Sequence, residues 1–129
     1  MRRMSDETLP TILVVDDDDA IRGLIRDVLA EEGYTVEEAG NGRDALAALK
    51  RLPMACVLLV DLLMPQVDGW QFIEQVRADE LRRRTPVVVM SSSITLQRIP
   101  PDVTFLEKPF KINRLISTIR RCHEGAGLI

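Results

Sequence analysis

The chain has 129 residues, with 46% hydrophobic and 29% charged residues and a formal net charge of −3. That describes one soluble α/β-sized domain able to bury a hydrophobic core. It argues against a basic nucleic-acid binder, and no apolar run reaches membrane-spanning length.

Residues 1–10 are polar and charged with no apolar stretch, so they read as a flexible tail rather than a signal peptide. The expected domain runs over residues 11–124, with residues 125–129 as a short C-terminal tail. Cys56 and Cys122 lack metal-ligand spacing and read as free thiols in a reducing cytoplasm.

The first apolar run, Thr11 to Val15, ends in four aspartates. Ile21, Leu24, Ile25, Val28 and Leu29 then recur at helical spacing, and Gly33 supplies a stop. Tyr34 to Glu38 is a weaker strand. Asn41 is the expected N-cap of a second helix carrying Ala45, Leu46, Leu49 and Leu52, which Pro53 ends. Ala55 to Val60 is an unbroken apolar run, as in a strand covered on both faces, and Asp61 stands at its end.

A third helix places Phe72, Ile73 and Val76 on one side, with Met64 and Trp70 read as packing residues. Arg82, Arg83 and Arg84 read as a solvated connection rather than a basic binding patch. Pro86 to Met90 is another buried-type strand, followed by Ser91. Val103 to Leu106 is the last strand, followed by Lys108. The last helix carries Ile112, Leu115, Ile116 and Ile119 on one face. His123 near its C-terminus reads as a complement to the helix dipole.

Alternating strands and helices imply a parallel sheet with helices on both faces. Ligands of such sheets bind beyond the carboxyl ends of the strands. Those ends carry Asp16, Asp17, Asp61, Ser91 and Lys108. Two unit charges about 4 Å apart repel by on the order of 4 kcal/mol at an effective dielectric of about 20. A carboxylate cluster therefore calls for a cation. A hard ion such as Mg²⁺, held through one or two carboxylates, suits it and leaves room for phosphate oxygens. With an ammonium and a hydroxyl beside it, the set is that of phosphoryl transfer with Asp61 as nucleophile.

The segments Ile12–Asp18, Val57–Pro65 with Asp68 and Gly69, Pro86–Ser91 and Phe105–Phe110 together resemble the receiver domain of bacterial two-component response regulators, over about residues 11 to 123. The resemblance implies a flavodoxin-like five-stranded sheet of order 2-1-3-4-5. It makes Asp61 the phosphorylated aspartate, Asp17 a direct Mg²⁺ ligand and Asp16 a ligand acting largely through water. The backbone carbonyl of Leu63 becomes a further ligand. Ser91 and Lys108 contact the phosphoryl group, and Phe105 is an aromatic that turns inward on activation. The implied donor is a histidine kinase or a histidine phosphotransfer protein.

The same resemblance makes the chain a switch rather than a turnover enzyme, catalysing only its own phosphorylation and dephosphorylation. The expected type is a stand-alone cytoplasmic receiver that signals through another protein or relays the phosphoryl group, without nucleic-acid or membrane contact. An alternative is a receiver-like module that binds partners without phosphorylation. A phosphatase of the haloacid dehalogenase type fits less well, because Ala20 stands where that family has a hydroxyl residue. Two departures stand out. Ser91 and Phe105 are 14 positions apart, about one to two helical turns fewer than the family has, and Pro100 and Pro101 interrupt the segment, so the fourth helix is expected to be short, irregular or absent. Apolar Leu63 positions a hydrolytic water poorly, so a long-lived phosphoryl state is expected.

Overall fold

The computed structural model describes residues 9–62, 69–91 and 102–127. Five strands, β1 (Thr11–Val15), β2 (Thr35–Ala39), β3 (Cys56–Asp61), β4 (Val87–Ser91) and β5 (Val103–Glu107), form one sheet. All pairings are parallel and the order is β2-β1-β3-β4-β5, as expected. The described helices are α1 (Asp19–Glu31), α2 (Gly42–Leu49), α3 (Gly69–Ala78) and α4 (Ile112–Gly125). The segment where a short fourth helix was expected, residues 92–101, lies outside the described residues.

Strand side chains alternate between two faces, and each face has its own core. Leu13, Val15, Leu58, Val60, Val87 and Val89 pack with Ala45, Leu49, Phe72 and Val76 from α2 and α3. Ile12, Val14, Val57, Leu59, Val88 and Met90 pack with Ile25, Leu29, Leu115 and Ile119 from α1 and α4. All six residues of β3, the central strand, are buried, which explains its unbroken apolar sequence.

The local signals behave as their chemistry requires. Asp18 caps α1 by accepting hydrogen bonds from the Ala20 and Ile21 amides. Gly33 takes the left-handed conformation, φ 102°, after α1. The Asn41 side chain accepts from the Asp44 amide at the start of α2. Ile21 and Leu24 share the helical spacing of the apolar residues of α1, yet both are exposed. The apolar arc of this helix is wider than the part the sheet covers.

Two readings need correction. Arg82 is not solvated. It is 7% exposed and donates to the carbonyls of Leu49, Leu52 and Pro53 and to Cys56 Sγ. Those carbonyls include ones orphaned at the C-terminal end of α2, so α2 ends at Leu49 against a guanidinium, ahead of Pro53. His123 does not serve as a cation at the end of α4. It is buried, with Nε2 2.7 Å from the Tyr34 hydroxyl and the rings edge to face. Burial pushes its pKa down, which favours the neutral ring.

Candidate functional site

Register brings the candidate residues to one rim. Val15 pairs with Val60, and Asp16 follows the first as Asp61 follows the second. Asp61 pairs with Met90, one residue before Ser91. Ser91 pairs with Glu107, one residue before Lys108, whose amide donates to the Ser91 carbonyl at 2.9 Å. The chain runs from β1 to β2 on one side and returns to β3 on the other. Asp16 and Asp61 therefore sit at the point where the strand order reverses, the usual ligand crevice of such sheets.

The four consecutive aspartates divide their work. Asp16 is fully buried, with Oδ1 accepting from the Asp18 amide at 2.9 Å and Oδ2 from Lys108 Nζ at 3.0 Å. Asp17 is exposed at the rim. Asp18 is the cap of α1, and Asp19 pairs with Arg22 at 2.7 Å. Oxygens of Asp16, Asp17 and Asp61 all lie within 4.8 Å of one another. The Lys108 ammonium bridges two of them, 3.0 Å from Asp16 and 3.3 Å from Asp61. Burial acts to lower the Lys108 pKa. The hydrogen bonds and charges of the two carboxylates outweigh it, so the pKa stands above its ordinary value and the ammonium persists.

This donor set fits a hard divalent cation: grouped carboxylate oxygens, one of them at a solvent-facing residue, with the Lys108 ammonium compensating part of their charge. The Leu63 carbonyl, expected as a further ligand, lies outside the described residues. Ser91 is 2% exposed. By alternation along β4 it lies on the sheet face of Val87 and Val89, the face against which half-buried Phe105 also packs. Phe105 pairs with Val89, so it sits one cross-strand pair from Ser91 on that face.

Two residues have supporting roles that the sequence did not reveal. Arg22 donates to the Asp16 carbonyl at 2.6 Å and pairs with Asp19 and Glu38, fixing the backbone that carries the acid pair. Nothing in a helical arginine announces that role. Gly69 opens α3 directly on the backbone of Asp61. A Cβ there would collide with the Asp61 carbonyl oxygen and lie 2.7 Å from Leu62 Cα. Its proximity to Asp68 in the motif was the available signal, but the reason is steric.

Comparison with known proteins agrees with this geometry. The family model for the response regulator receiver domain matches residues 12–120. The transcriptional regulatory protein SrrA of Staphylococcus aureus is 36% identical over 81 residues, 63% of this chain and 32% of SrrA. RpaA of Synechocystis, described as a DNA-binding dual master transcriptional regulator, is 30% identical over 120 residues, 87% of this chain and 48% of RpaA. The chain thus spans at most about half the length of these curated relatives. The chemotaxis protein CheY4 of Vibrio cholerae superposes with a TM-score of 0.82 at 28% identity, covering 88% of this chain and 98% of that one.

Proposed function

The chain belongs to the response regulator receiver family, and from that premise we propose that it is a phosphoacceptor switch with Asp61 as the acceptor. The observation that carries the reading is the Lys108 ammonium shared between buried Asp16 and Asp61 beside the exposed carboxylate of Asp17. Asp16, Asp17 and Asp61, with the Leu63 carbonyl, would hold Mg²⁺. When bound, the ion neutralises charge on the incoming phosphoryl oxygens.

The chain's own residues do the rest. An Asp61 carboxylate oxygen bonds to phosphorus as the P–N bond of a donor phosphohistidine breaks, and the freed imidazole leaves with the donor. Lys108 holds the transferred group by charge. The donor is a histidine kinase or a histidine phosphotransfer protein. Its approach must cover the pocket rim, where α1 starts and exposes Ile21 and Leu24. Those apolar side chains suit protein contact.

Phosphorylation adds charge and acceptor oxygens at the end of β3. Ser91 donates to the new oxygens, and Phe105 follows on the same sheet face. A surface at β4 and β5 changes, and a protein partner reads it or takes the phosphoryl group onward. The switch works only to the extent that the phosphoryl group favours one state over the other.

Incubation with acetyl phosphate and Mg²⁺, read by intact mass, tests this. The expected result is one phosphoryl adduct, absent in Asp61→Asn and absent with EDTA. An adduct that persists in Asp61→Asn would sink the assignment. No adduct in the unaltered protein would favour a receiver-like module that works without phosphorylation.

A further inference from the structure

Opposite the acid pocket, at the end of the sheet where β4 and β5 begin, lies a cleft of about 490 Å³. Among the described residues, Arg77, Arg83, Arg84 and Arg121 line it, with Asp102 the one carboxylate in its wall. Four guanidiniums against one carboxylate leave three positive charges in excess, within a chain whose net charge is −3.

The wall is built rather than draped. Arg77 is held by Asp102 at 2.8 Å and by the Thr85 carbonyl at 2.9 Å, so one guanidinium has a fixed place. Arg83, Arg84 and Arg121 are exposed and form no ion pair among the described residues. This contrasts with Arg22, Arg26, Arg51 and Arg120, each paired with an acid. Helix-end electrostatics account for Arg77 and Arg121, near the C-termini of α3 and α4. They do not account for Arg83 and Arg84, which come from the connection between α3 and β4. A convergence of like charges from α3, that connection and α4 raises the local positive potential and attracts an anion, although exposure makes this weaker than the pull of the enclosed carboxylates on a cation.

We propose that this cleft binds a small molecule bearing a diphosphate group. Guanidinium forks match phosphate oxygens two at a time. Three excess charges match a diphosphate better than a single phosphate or a carboxylate. The volume lies within the range of about 300–1,000 Å³ usual for small-molecule sites. Inorganic pyrophosphate and a nucleoside diphosphate share this chemistry, and the remaining space decides whether a nucleoside contributes.

The test is calorimetric titration of the full chain with sodium pyrophosphate and, separately, with ADP. EDTA is present throughout, so that no divalent ion recruits phosphate to the acid pocket. Orthophosphate is the control for charge alone. We expect saturable one-to-one binding with a Kd below about 1 mM at physiological salt, at least roughly tenfold weaker in Arg83→Ala/Arg84→Ala, and unchanged in Asp61→Asn. Arg121→Gln, at an exposed position on another element, is expected to weaken binding independently, and circular dichroism melts check that both variants remain folded. Tighter binding of ADP than of pyrophosphate would assign a nucleoside diphosphate, and equal binding the diphosphate alone. Absence of saturable binding overturns the proposal. So does affinity that survives all three arginine substitutions, or that matches orthophosphate.

Discussion

The two ends of the sheet carry opposite charge. Where the strands finish, Asp16, Asp17 and Asp61 group their carboxylates, and the Lys108 ammonium bridges two of them, Asp16 and Asp61. Where β4 and β5 begin, four arginines line a cleft whose one carboxylate among the described residues, that of Asp102, pairs with Arg77. The architecture favours this polarity. Helices crossing back from one parallel strand to the next point their N-termini toward the strand ends and their C-termini toward the strand starts. Partial positive charge therefore accompanies the acids, and partial negative charge the arginines. The ends differ in burial. Asp16 and Asp61 are enclosed, whereas Arg83, Arg84 and Arg121 are in solvent. Enclosed charges interact strongly and set chemistry, while exposed ones are screened and set salt-dependent attraction.

The largest effect on stability is expected from Arg82, the one buried arginine among the described residues. Arg82→Met strands the carbonyls of Leu49, Leu52 and Pro53. Urea unfolding is expected to show a loss of about 3 kcal/mol, the scale of unsatisfied buried polar groups. A loss no larger than that of Arg83→Met would mean that burial does not separate these neighbours.

Next comes Gly69→Ala, at the acid end, where a methyl group meets the backbone of Asp61 and Leu62. About 2 kcal/mol of destabilisation is expected from overpacking, together with weaker Mg²⁺ binding as the Asp61 backbone shifts. An unchanged unfolding midpoint would show that α3 can retreat freely.

A smaller effect sharpens the electrostatic side. Lys108→Met removes the cation that competes for Asp16 and Asp61. Mg²⁺ titrations followed by fluorescence of Trp70, the single tryptophan, are expected to show about tenfold tighter binding, alongside slower phosphorylation by acetyl phosphate. Unaltered Mg²⁺ affinity would mean that the ammonium does not share those oxygens in solution.

The smallest effect concerns His123. Its folded pKa lies below the ordinary 6.5 because burial disfavours the charged ring, with nearby Glu124 opposing and Arg120 reinforcing that shift. The unfolded chain therefore binds the proton more readily. The stability contribution is complete above about pH 6.5 and is lost as pH falls through the folded value. Thermal midpoints compared between about pH 7.5 and pH 5 are expected to fall more for the unaltered protein than for His123→Gln. Equal slopes would assign the acid sensitivity elsewhere.

Much of this molecule is legible residue by residue. Unbroken apolar β3 declared a central strand. Gly33 and Asn41 declared helix ends through local hydrogen bonding and backbone sterics. Asp61 declared itself because a carboxylate ending a buried strand needs a partner. These signals depend on contacts within a few positions, so sequence alone determined them. The alternation of strands and helices collected Asp16, Asp61, Ser91 and Lys108 at one rim, and the strand order came from the family resemblance. Arg82 and Arg83 show the limit. The two arginines are adjacent, yet one is enclosed by carbonyls at and just after the end of α2, some thirty positions upstream, and the other faces a cleft closed by α4. The pairing of Tyr34 with His123 spans 89 positions. Only the tertiary structure decided these, because a long polar side chain is buried or exposed according to which distant backbone groups lack partners, and no local pattern records that.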